Sequence, residues 1–329
     1  TQGVSSAASD VYKRQDLPLP PGFALGFNHR ESGRYPSPLT GEWRNGDDLE
    51  QLIVDAIQAA DSSLLVAVQE LSLPSLAKQL IAAHRRGVQV KLVLENSYST
   101  PWSEQQPSHL PKHQRHRWHQ LQQLADADGD GITTPQEARD GDAVRLLVEA
   151  GVPLMDDTED GSSGSGLMHH KFVVVDDRSV ITGSANFTSS GLHGDAGRAS
   201  TRGNVNHLLR IDSTALAAVF RGEFERMWGD GPSGAKDSRF GLGKGGHEAE
   251  RITVGDVEVE VLFSPHPKRN ASHGLNWLAA KLAAAQRQID MALFVFSAQQ
   301  LANVLEERAN KGGKIRLVDD PGCALSLIH

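Results

Sequence analysis

One succession of helix, strand, helix and strand occurs twice in this chain, and this repeat narrows the choice of fold more than any other feature. In the first copy, apolar residues at helical spacing begin at Leu49, a β-type run covers 64–68, a second helix stops at Gly87, and another β-type run covers 88–94. The pattern returns from Leu275 at a steady offset. Such connections favour a parallel strand pair. The repeat therefore predicts an α/β fold, with a mixed sheet flanked by helices.

Between the two copies lies a polar motif built on two short β-type runs. Residues 172–175 are β-branched or aromatic, so they favour a buried strand whose side chains alternate between two faces. His169 and Lys171 then share one face, whereas Asp176 has the opposite parity and is expected to support the strand. A second run, 179–182, is expected to pair with the first through the turn that begins at Asp176.

Ser184 and Asn186 follow the second run and share parity with each other. With His169 and Lys171 they bring a hydroxyl, a carboxamide, an imidazole and an ammonium group to one end of the strands. These groups suit a phosphodiester, because imidazole can attack phosphorus and a second imidazole can protonate the leaving oxygen. The ammonium and the neutral donors stabilise charge on the phosphoryl oxygens. The motif therefore predicts phosphodiester cleavage with no metal in the chemical step.

The motif reads His-x-Lys, four residues, Asp, six residues and Gly-Ser-x-Asn, and in this form it resembles the signature of the phospholipase D superfamily. The resemblance implies that His169 is the nucleophile or the general acid. It also implies that Lys171, Ser184 and Asn186 bind phosphate. Asp176 completes the catalytic motif in a structural role. A phosphohistidine intermediate is the chemistry expected of such a site.

Two departures from the family pattern affect this expectation. Family members often carry a Glu shortly downstream that orients the histidine, whereas here Asn206 is the possible orienting residue, and a neutral partner would lower the basicity of His169. Phospholipase D-like chains also have two halves, each with one motif, and the second half here stops before its motif could occur. We therefore expect a complete first half, a truncated second half, and little activity from this fragment alone unless two copies pair face to face.

A helical insertion precedes the motif and contains a second recognisable pattern. Residues 126–131 and Glu137 match the calcium loop of an EF-hand, with Gly131 at the sharp turn and Thr133 where EF-hands usually have an apolar residue. The expected Ca²⁺ ligands are Asp126, Asp128, Asp130, the backbone carbonyl of Ile132, Thr134 and Glu137. We expect a structural calcium site, with an acidic helix-loop-helix that binds nothing as the alternative. A lone EF-hand favours an extracellular or periplasmic location.

Both ends of the chain look foreign to the fold. Residues 10–15 and 325–329 resemble the two reading directions of a sequencing-library adapter, so both termini are expected to be artefacts. Residues 17–45 read as an irregular lead-in. The predicted organisation is an artefact over 1–15, a first phospholipase D-like half over 16–228 with an insertion over 101–150, a linker over 229–250, the start of a second half over 251–324, and an artefact over 325–329.

Two classes of phosphodiester substrate remain open, nucleic acid and phospholipid. The net charge of -8 argues against non-specific electrostatic binding to nucleic acid, although a local basic cleft is compatible with this charge. The loop over 156–166 lacks the apolar residues expected of a lipase lid. We favour a nuclease-type hydrolase, with a phospholipase D acting on phospholipids and an inactive calcium-binding scaffold as alternatives. The basic cluster behind this preference is Lys112, His113, Arg115, His116 and Arg117.

Overall fold

A computed structural model describes residues 18–161, 167–194, 201 and 203–319. The predicted terminal artefacts, residues 1–15 and 325–329, therefore lie outside the described residues. The chain divides into two compact units. The first runs through Phe240 and includes Ile252–Val259, and the second comprises Gly241–Arg251 and the residues from Glu260 onward.

The described residues form the following elements. The strands are β1 (Phe23–Phe27), β2 (Arg34–Pro36), β3 (Trp43–Asn45), β4 (Ser63–Val68), β5 (Gln89–Leu94), β6 (Leu154–Asp156), β7 (Lys171–Val175), β8 (Ser179–Gly183), β9 (His207–Asp212), β10 (Glu250–Val254), β11 (Val257–Val261), β12 (Gln288–Leu293) and β13 (Lys314–Asp319). The α-helices are α1 (Leu49–Gln58), α2 (Pro74–Arg85), α3 (Lys112–Ala125), α4 (Pro135–Asp140), α5 (Ala143–Glu149), α6 (Ser189–Leu192), α7 (Thr214–Trp228), α8 (Gly274–Ala284) and α9 (Gln299–Asn310). Short 3₁₀ turns cover Asn96–Tyr98, Trp102–Glu104, Pro107–His109, Glu159–Gly161 and Gly241–Lys244.

The first unit is built on a seven-stranded sheet in the order β1-β9-β8-β7-β4-β5-β6. The pairs β4/β5 and β5/β6 are parallel, as the repeat predicted for β4 and β5. The pairs β1/β9, β9/β8, β8/β7 and β7/β4 are antiparallel. The predicted mixed sheet is confirmed, and the hairpin of β7 and β8 lies at its centre.

Helices cover both faces of this sheet, and successive side chains of β7 are buried alternately against one face and the other. Val173 and Val175 belong to the core that also contains Leu49 of α1 and Leu76 of α2. Phe172 lies on the other face, where its ring centroid is 5.1 Å from that of Phe220 in α7. Burial on both faces explains why β7 reads as a nearly continuous apolar run.

The segment before α1 is more regular than the sequence indicated. Phe23–Phe27 adds β1 to the edge of the sheet against β9, so the prediction of an irregular lead-in was wrong over these residues. A Cβ on Gly26 would lie 2.7 Å from Leu49 Cδ2, so α1 packs against the strand where a side chain is missing. The glycine that permits this packing also weakens the strand signal in the sequence.

The predicted insertion forms a small helical module with its own core. Trp102, Leu121 and Ala125 are buried together, with Trp118 packed against them. Trp118 Nε1 donates to the backbone oxygen of Trp102 at 2.9 Å, and the two rings meet edge to face. These contacts hold α3 against the segment that follows β5.

The second unit reproduces the repeat. Its helices α8 and α9 and its parallel strands β12 and β13 follow the order of α1, β4, α2 and β5. The offset in residue number between corresponding elements of the two copies is constant. The first residues of the corresponding elements are Leu49 and Gly274, Ser63 and Gln288, Pro74 and Gln299, and Gln89 and Lys314. Ile289, Phe296, Leu301 and Leu305 form its small core. β10 and β11 form a separate two-stranded sheet, whose residues Ile252–Val259 belong to the first unit.

Candidate active site

The motif residues lie at one end of the main sheet, where three segments meet. Lys171 opens β7 beside the last residue of β4. The chain beyond β4 continues between the two motif segments, because the amide of Gln69 donates to the carbonyl of His170 at 2.9 Å and the amide of Phe187 donates to the carbonyl of Glu70 at 3.0 Å. Gln69 and Glu70 therefore lie between the His-x-Lys and Gly-Ser-x-Asn segments.

Lys171 and Asn186 share one hydrogen-bond acceptor. Lys171 Nζ and Asn186 Nδ2 donate to Gln69 Oε1 at 3.3 and 3.2 Å, and Lys171 Nζ also donates to the carbonyl of His169 at 3.0 Å. Burial lowers the pKa of Lys171 to about 8, although the negative charge of Glu70 opposes this shift. Asn186 Oδ1 is buried and has no hydrogen-bond partner among the described residues. The structure thus brings two predicted phosphate-binding side chains together, around a glutamine that the sequence analysis missed.

Ser184 belongs to a second polar group on the same segment. Its hydroxyl donates to Asn206 Oδ1 at 2.9 Å and lies 3.3 Å from His207 Nδ1. Asn206 Nδ2 donates to the carbonyl of Gly191 at 2.9 Å. The hydrogen bonds of Asn206 therefore position Ser184 and not His169, which corrects the predicted orienting role. His207 is an imidazole that the sequence analysis missed, and its partial burial lowers its pKa.

The two adjacent histidines face different environments. His169 is exposed, and partial desolvation, with the nearby Lys171 and His170, lowers its pKa. His170 instead points to α7, where its Nε2 lies 2.9 Å from Oε1 of the buried Glu223. The alternation of side chains along an extended strand accounts for this separation. His169 is the imidazole that is accessible to a ligand from this pair.

Asp176 lies away from the ligand-binding side and fastens the hairpin to β4. Its carboxylate accepts from the amides of Asp61, Ser62 and Ser63 at 3.0, 2.7 and 2.9 Å. Arg178 adds an ion pair at 2.9 Å. Burial alone would raise the pKa of Asp176, but the hydrogen bonds from Ser63, Asp61 and Ser62 outweigh it and lower the pKa. Asp176 therefore holds the start of β4 next to the end of β7.

Glu70 connects the site to the helical insertion. Its Oε1 lies 2.6 Å from Arg117 Nε of α3, and both side chains are largely buried. The Arg117 guanidinium also lies 4.8 Å from the centroid of the Tyr98 ring. An ion pair excluded from water is screened less than one at the surface. Glu70 and Arg117 thus anchor α3 beside the residues around Lys171.

The predicted calcium loop gathers three carboxylates. Ligand oxygens of Asp126, Asp128 and Asp130 all lie within 4.8 Å of one another. Thr134 and Glu137 form a reciprocal cap at the start of α4, and Glu137 Oε1 also accepts from the amide of Ala127 at 3.0 Å. Hydrogen bonds from the amide and hydroxyl of Thr134, with that from Ala127, lower the pKa of Glu137. A set of carboxylate, hydroxyl and carbonyl oxygens fits a hard divalent cation such as Ca²⁺.

Comparison with known proteins agrees with the geometry of the sheet and motif. The family model described as "Cardiolipin synthase, PLD-like domain" matches residues 53–228, more than half of the chain. The chain belongs to this family. The match begins within α1 and extends to the end of α7, so it spans the motif and the helical module around α3. The curated relatives that match this chain are named as hydrolases.

Individual relatives cover only part of this chain. The mitochondrial cardiolipin hydrolase of Xenopus laevis is 29% identical over 169 residues, which are 51% of this chain and 56% of that protein. The human mitochondrial cardiolipin hydrolase is 25% identical over 184 residues, 56% of this chain and 52% of its own length. Nuc from Salmonella typhimurium, a phospholipase D family member of known structure, is 21% identical, with 64% of this chain and 95% of that chain covered and a TM-score of 0.38. The chain therefore spans about half the length of the curated relatives named here.

Proposed function

We propose that the chain is part of a phosphodiesterase that forms a covalent phosphohistidine at His169. The observation that carries this proposal is the convergence of Lys171 Nζ and Asn186 Nδ2 on Gln69 Oε1. Two donors that meet beside an accessible imidazole can receive the oxygens of a phosphodiester while the imidazole attacks phosphorus. Because every motif residue is present, an inactive calcium-binding scaffold is the weaker alternative.

The reaction proceeds in two displacements. An imidazole nitrogen of His169 attacks phosphorus, the bond from phosphorus to the leaving oxygen breaks, and that oxygen takes a proton from a second imidazole. Water then displaces His169 from phosphorus and gives a proton to the second imidazole, which releases a phosphomonoester. Lys171 and Asn186 hold the non-bridging oxygens in both steps. The second imidazole comes from a second phospholipase D-like half or from another copy of this chain.

Nucleic acid is the substrate class that we favour. Lys112, Arg115 and His116 are exposed on α3, and Arg117 of the same helix anchors α3 to Glu70 beside the site. Cations so placed can contact the phosphates that flank a scissile bond, and such contacts dominate affinity for nucleic acid. The overall negative charge restricts this attraction to the local surface.

Phospholipid is the second candidate substrate class, and a different observation supports it. Leu167, just before the motif, is 67% exposed, and Val205, beside Asn206, is 73% exposed. Exposed apolar side chains next to a phosphate-binding site suit the acyl region of a lipid. The relatives named as cardiolipin hydrolases favour the same candidate. None of the described helices is long and apolar enough to cross a bilayer.

Two paired variants separate these substrates by binding. If nucleic acid is bound, Lys112→Gln with Arg115→Gln should weaken binding of a single-stranded oligonucleotide and reduce the slope of log K against log salt by about 0.7 for each phosphate that is no longer neutralised. If phospholipid is bound, Leu167→Ser with Val205→Ser should weaken binding to net-neutral phosphatidylcholine vesicles and leave the oligonucleotide unaffected. If the Lys112→Gln, Arg115→Gln variant binds the oligonucleotide as before and the Leu167→Ser, Val205→Ser variant no longer binds vesicles, phospholipid would replace nucleic acid as the favoured substrate class.

We also propose that Asp126, Asp128, Asp130, Thr134, Glu137 and the carbonyl of Ile132 hold a structural Ca²⁺. The oxygen chemistry of this set supports the proposal, and the loop lies in the module whose helix α3 carries Arg117. Bound Ca²⁺ would neutralise the mutual repulsion of the carboxylates and stabilise the module. His169, Lys171 and Asn186 perform the chemical step without it.

A further inference from the structure

We propose that Gln69 is the positioning residue of the phosphate site, and that its side-chain oxygen fixes Lys171 and Asn186 as one pair of aimed donors. This inference rests on the proposed function, because it concerns how the proposed phosphate-binding groups are held. It adds a residue that lies outside both motif segments. Gln69 belongs to the chain that continues from β4, whereas Lys171 and Asn186 flank the hairpin of β7 and β8.

The N–H donors of Lys171 and Asn186 can be counted to show which of them remain for a ligand. An ammonium has three donors, and Lys171 gives one to Gln69 Oε1 and one to the carbonyl of His169. A carboxamide nitrogen has two donors, and Asn186 gives one to Gln69. Among the described residues, each side chain therefore retains one donor for a ligand. Because their other donors are fixed on the shared Gln69 oxygen and, for Lys171, on the His169 carbonyl, the directions of the remaining two are restricted.

The orientation of the Gln69 carboxamide follows from its partners. Lys171 Nζ and the Asn186 nitrogen can only donate, so the group that faces them must be the glutamine oxygen. Rotation of the carboxamide by half a turn would place N–H groups against an ammonium. The geometry therefore requires an acceptor at this position, and an apolar side chain of equal size could not replace it.

Gln69 is itself held rigidly. The residue is 8% exposed, its amide donates to the carbonyl of His170, and its carbonyl accepts from the amide of Glu95 at 3.2 Å. These bonds continue the ladder of β4 towards both neighbouring strands. A group that positions ligand-binding side chains acts best from such a rigid support.

The neutrality of Gln69 matters because of the charges around Lys171. Glu70 is the nearby acid, but Arg117 occupies its carboxylate at 2.6 Å, and His169 is the neighbouring titratable base. A carboxylate in place of Gln69 would pair with the ammonium and repel a phosphate. The carboxamide holds Lys171 in place and leaves its positive charge available to a ligand.

Two substitutions of similar size test the assignment without relying on turnover. Gln69→Met removes the acceptor, so the ammonium should be less stable and the pKa of Lys171 should fall below its value of about 8. Gln69→Glu supplies a negative acceptor and should raise that pKa. The pKa is measured from the pH dependence of Lys171 acetylation by peptide mass spectrometry, with exposed Lys112 as the internal control. Thermal melting of each variant establishes that it is folded.

Binding of inorganic phosphate provides the second readout. Both variants should bind phosphate at least several-fold more weakly than the unchanged chain, Gln69→Met because its donors are no longer aligned and Gln69→Glu because of repulsion. An unchanged Lys171 pKa in both folded variants would overturn the inference. If the pKa moves in opposite directions as expected but the unchanged chain gives no first turnover of an activated phosphodiester, the role of Gln69 stands and the proposed function fails.

Discussion

His169 and Lys171 need opposite protonation states for the proposed reaction. The nucleophile must be neutral, and partial desolvation together with the charges of Lys171 and His170 lowers the pKa of His169, so the neutral imidazole persists to lower pH. The phosphate-binding ammonium must be protonated, and burial brings the pKa of Lys171 down to about 8. The working pH range therefore lies between these two pKa values.

We predict that the first turnover of an activated diester, such as bis(4-nitrophenyl) phosphate, depends on pH at both limits. Its rate should fall below the ordinary pKa of histidine as His169 protonates, and above about 8 as Lys171 loses its proton. The measurement is the rate of nitrophenolate release in single-turnover mixing across the pH range. Lys171→Arg is the control, because a guanidinium stays charged and should abolish the alkaline limb. An alkaline limb that persists in this variant would assign it to another group.

The neighbouring histidines should respond differently to truncation. His169→Ala should abolish the first turnover with little change in melting temperature, because the side chain is exposed. His170→Ala should lower stability by about 1–3 kcal/mol, because it removes a partner of the buried Glu223. Activity and thermal melting of both variants check this. Equal losses of activity with unchanged melting would contradict the assignment of the two faces.

At the same scale, the sequence identified the motif residues but not the groups that position them. Strand parity separated His169 from His170 because alternation is a local property of β7. Gln69 is recognisable in the sequence as a polar residue directly after a buried run. Its contacts, however, depend on the pairing of β4 with β7, which local sequence patterns do not encode. The same limit applies to Asn206, whose partner is Ser184 on the adjacent strand.

The hairpin of β7 and β8 is the element that aligns the motif. Asp176 and Asp177 have φ values of 50° and 55°, the conformation that tight hairpin turns need at both central residues. Asp176 also ties the hairpin to β4, and its side chain is 5% exposed. Its lowered pKa means that its ionised form stabilises the fold above its ordinary pKa, and this contribution is lost as pH falls through the folded-state value.

We predict that Asp176→Asn lowers the free energy of unfolding by about 1–3 kcal/mol near neutral pH, because the amides of Asp61, Ser62 and Ser63 lose a charged acceptor. Asparagine tolerates the same backbone conformation, so turn strain does not confuse the result. Denaturant unfolding measures the change, and the difference from the unchanged chain should shrink in acid. Asp61→Asn is the matched control, since its side chain is 83% exposed. Equal effects of the two variants would refute the support role of Asp176.

The inserted module allows stability and chemistry to be tested separately. We predict that Ca²⁺ raises the melting temperature by mass action on the folded state and leaves the first-turnover rate unchanged in chelator while the fold persists. Asp126→Ala should remove the calcium-dependent shift, and Asp140→Ala, an exposed carboxylate outside the loop, should retain it. Loss of the first turnover in chelator, with intact fold and recovery on adding Ca²⁺, would place a metal in the mechanism.

At the element scale, prediction from sequence succeeded where periodicity was strong. The helices of the repeat were evident because each buries one regular face, and β4 was evident because it is a short apolar run buried throughout. β1 was missed because Gly26 within it and the Pro and Gly residues before it dilute the strand pattern. Its stability comes from pairing with β9 and packing on α1, which are tertiary effects.

Across the whole molecule, the repeat is complete in its helices and strands, but the full motif occurs once. In the proposed reaction a second imidazole protonates the leaving oxygen and takes part in hydrolysis of the intermediate, and we propose that a second phospholipase D-like half or another copy of this chain supplies it. A diester whose leaving group is a weak base avoids the need for this protonation. With such a diester, this chain should form the covalent intermediate once and hydrolyse it slowly.

The covalent intermediate proposed at His169 can be tested by identifying the residue that becomes modified. The chain is mixed with bis(4-nitrophenyl) phosphate, quenched in alkali, where phosphohistidine survives, and examined by peptide mass spectrometry. We predict one nitrophenyl phosphoryl group on His169 that accompanies a stoichiometric burst of nitrophenolate, and neither burst nor adduct in His169→Ala. A burst with the adduct on another residue, or an equal burst in His169→Ala, would contradict the account.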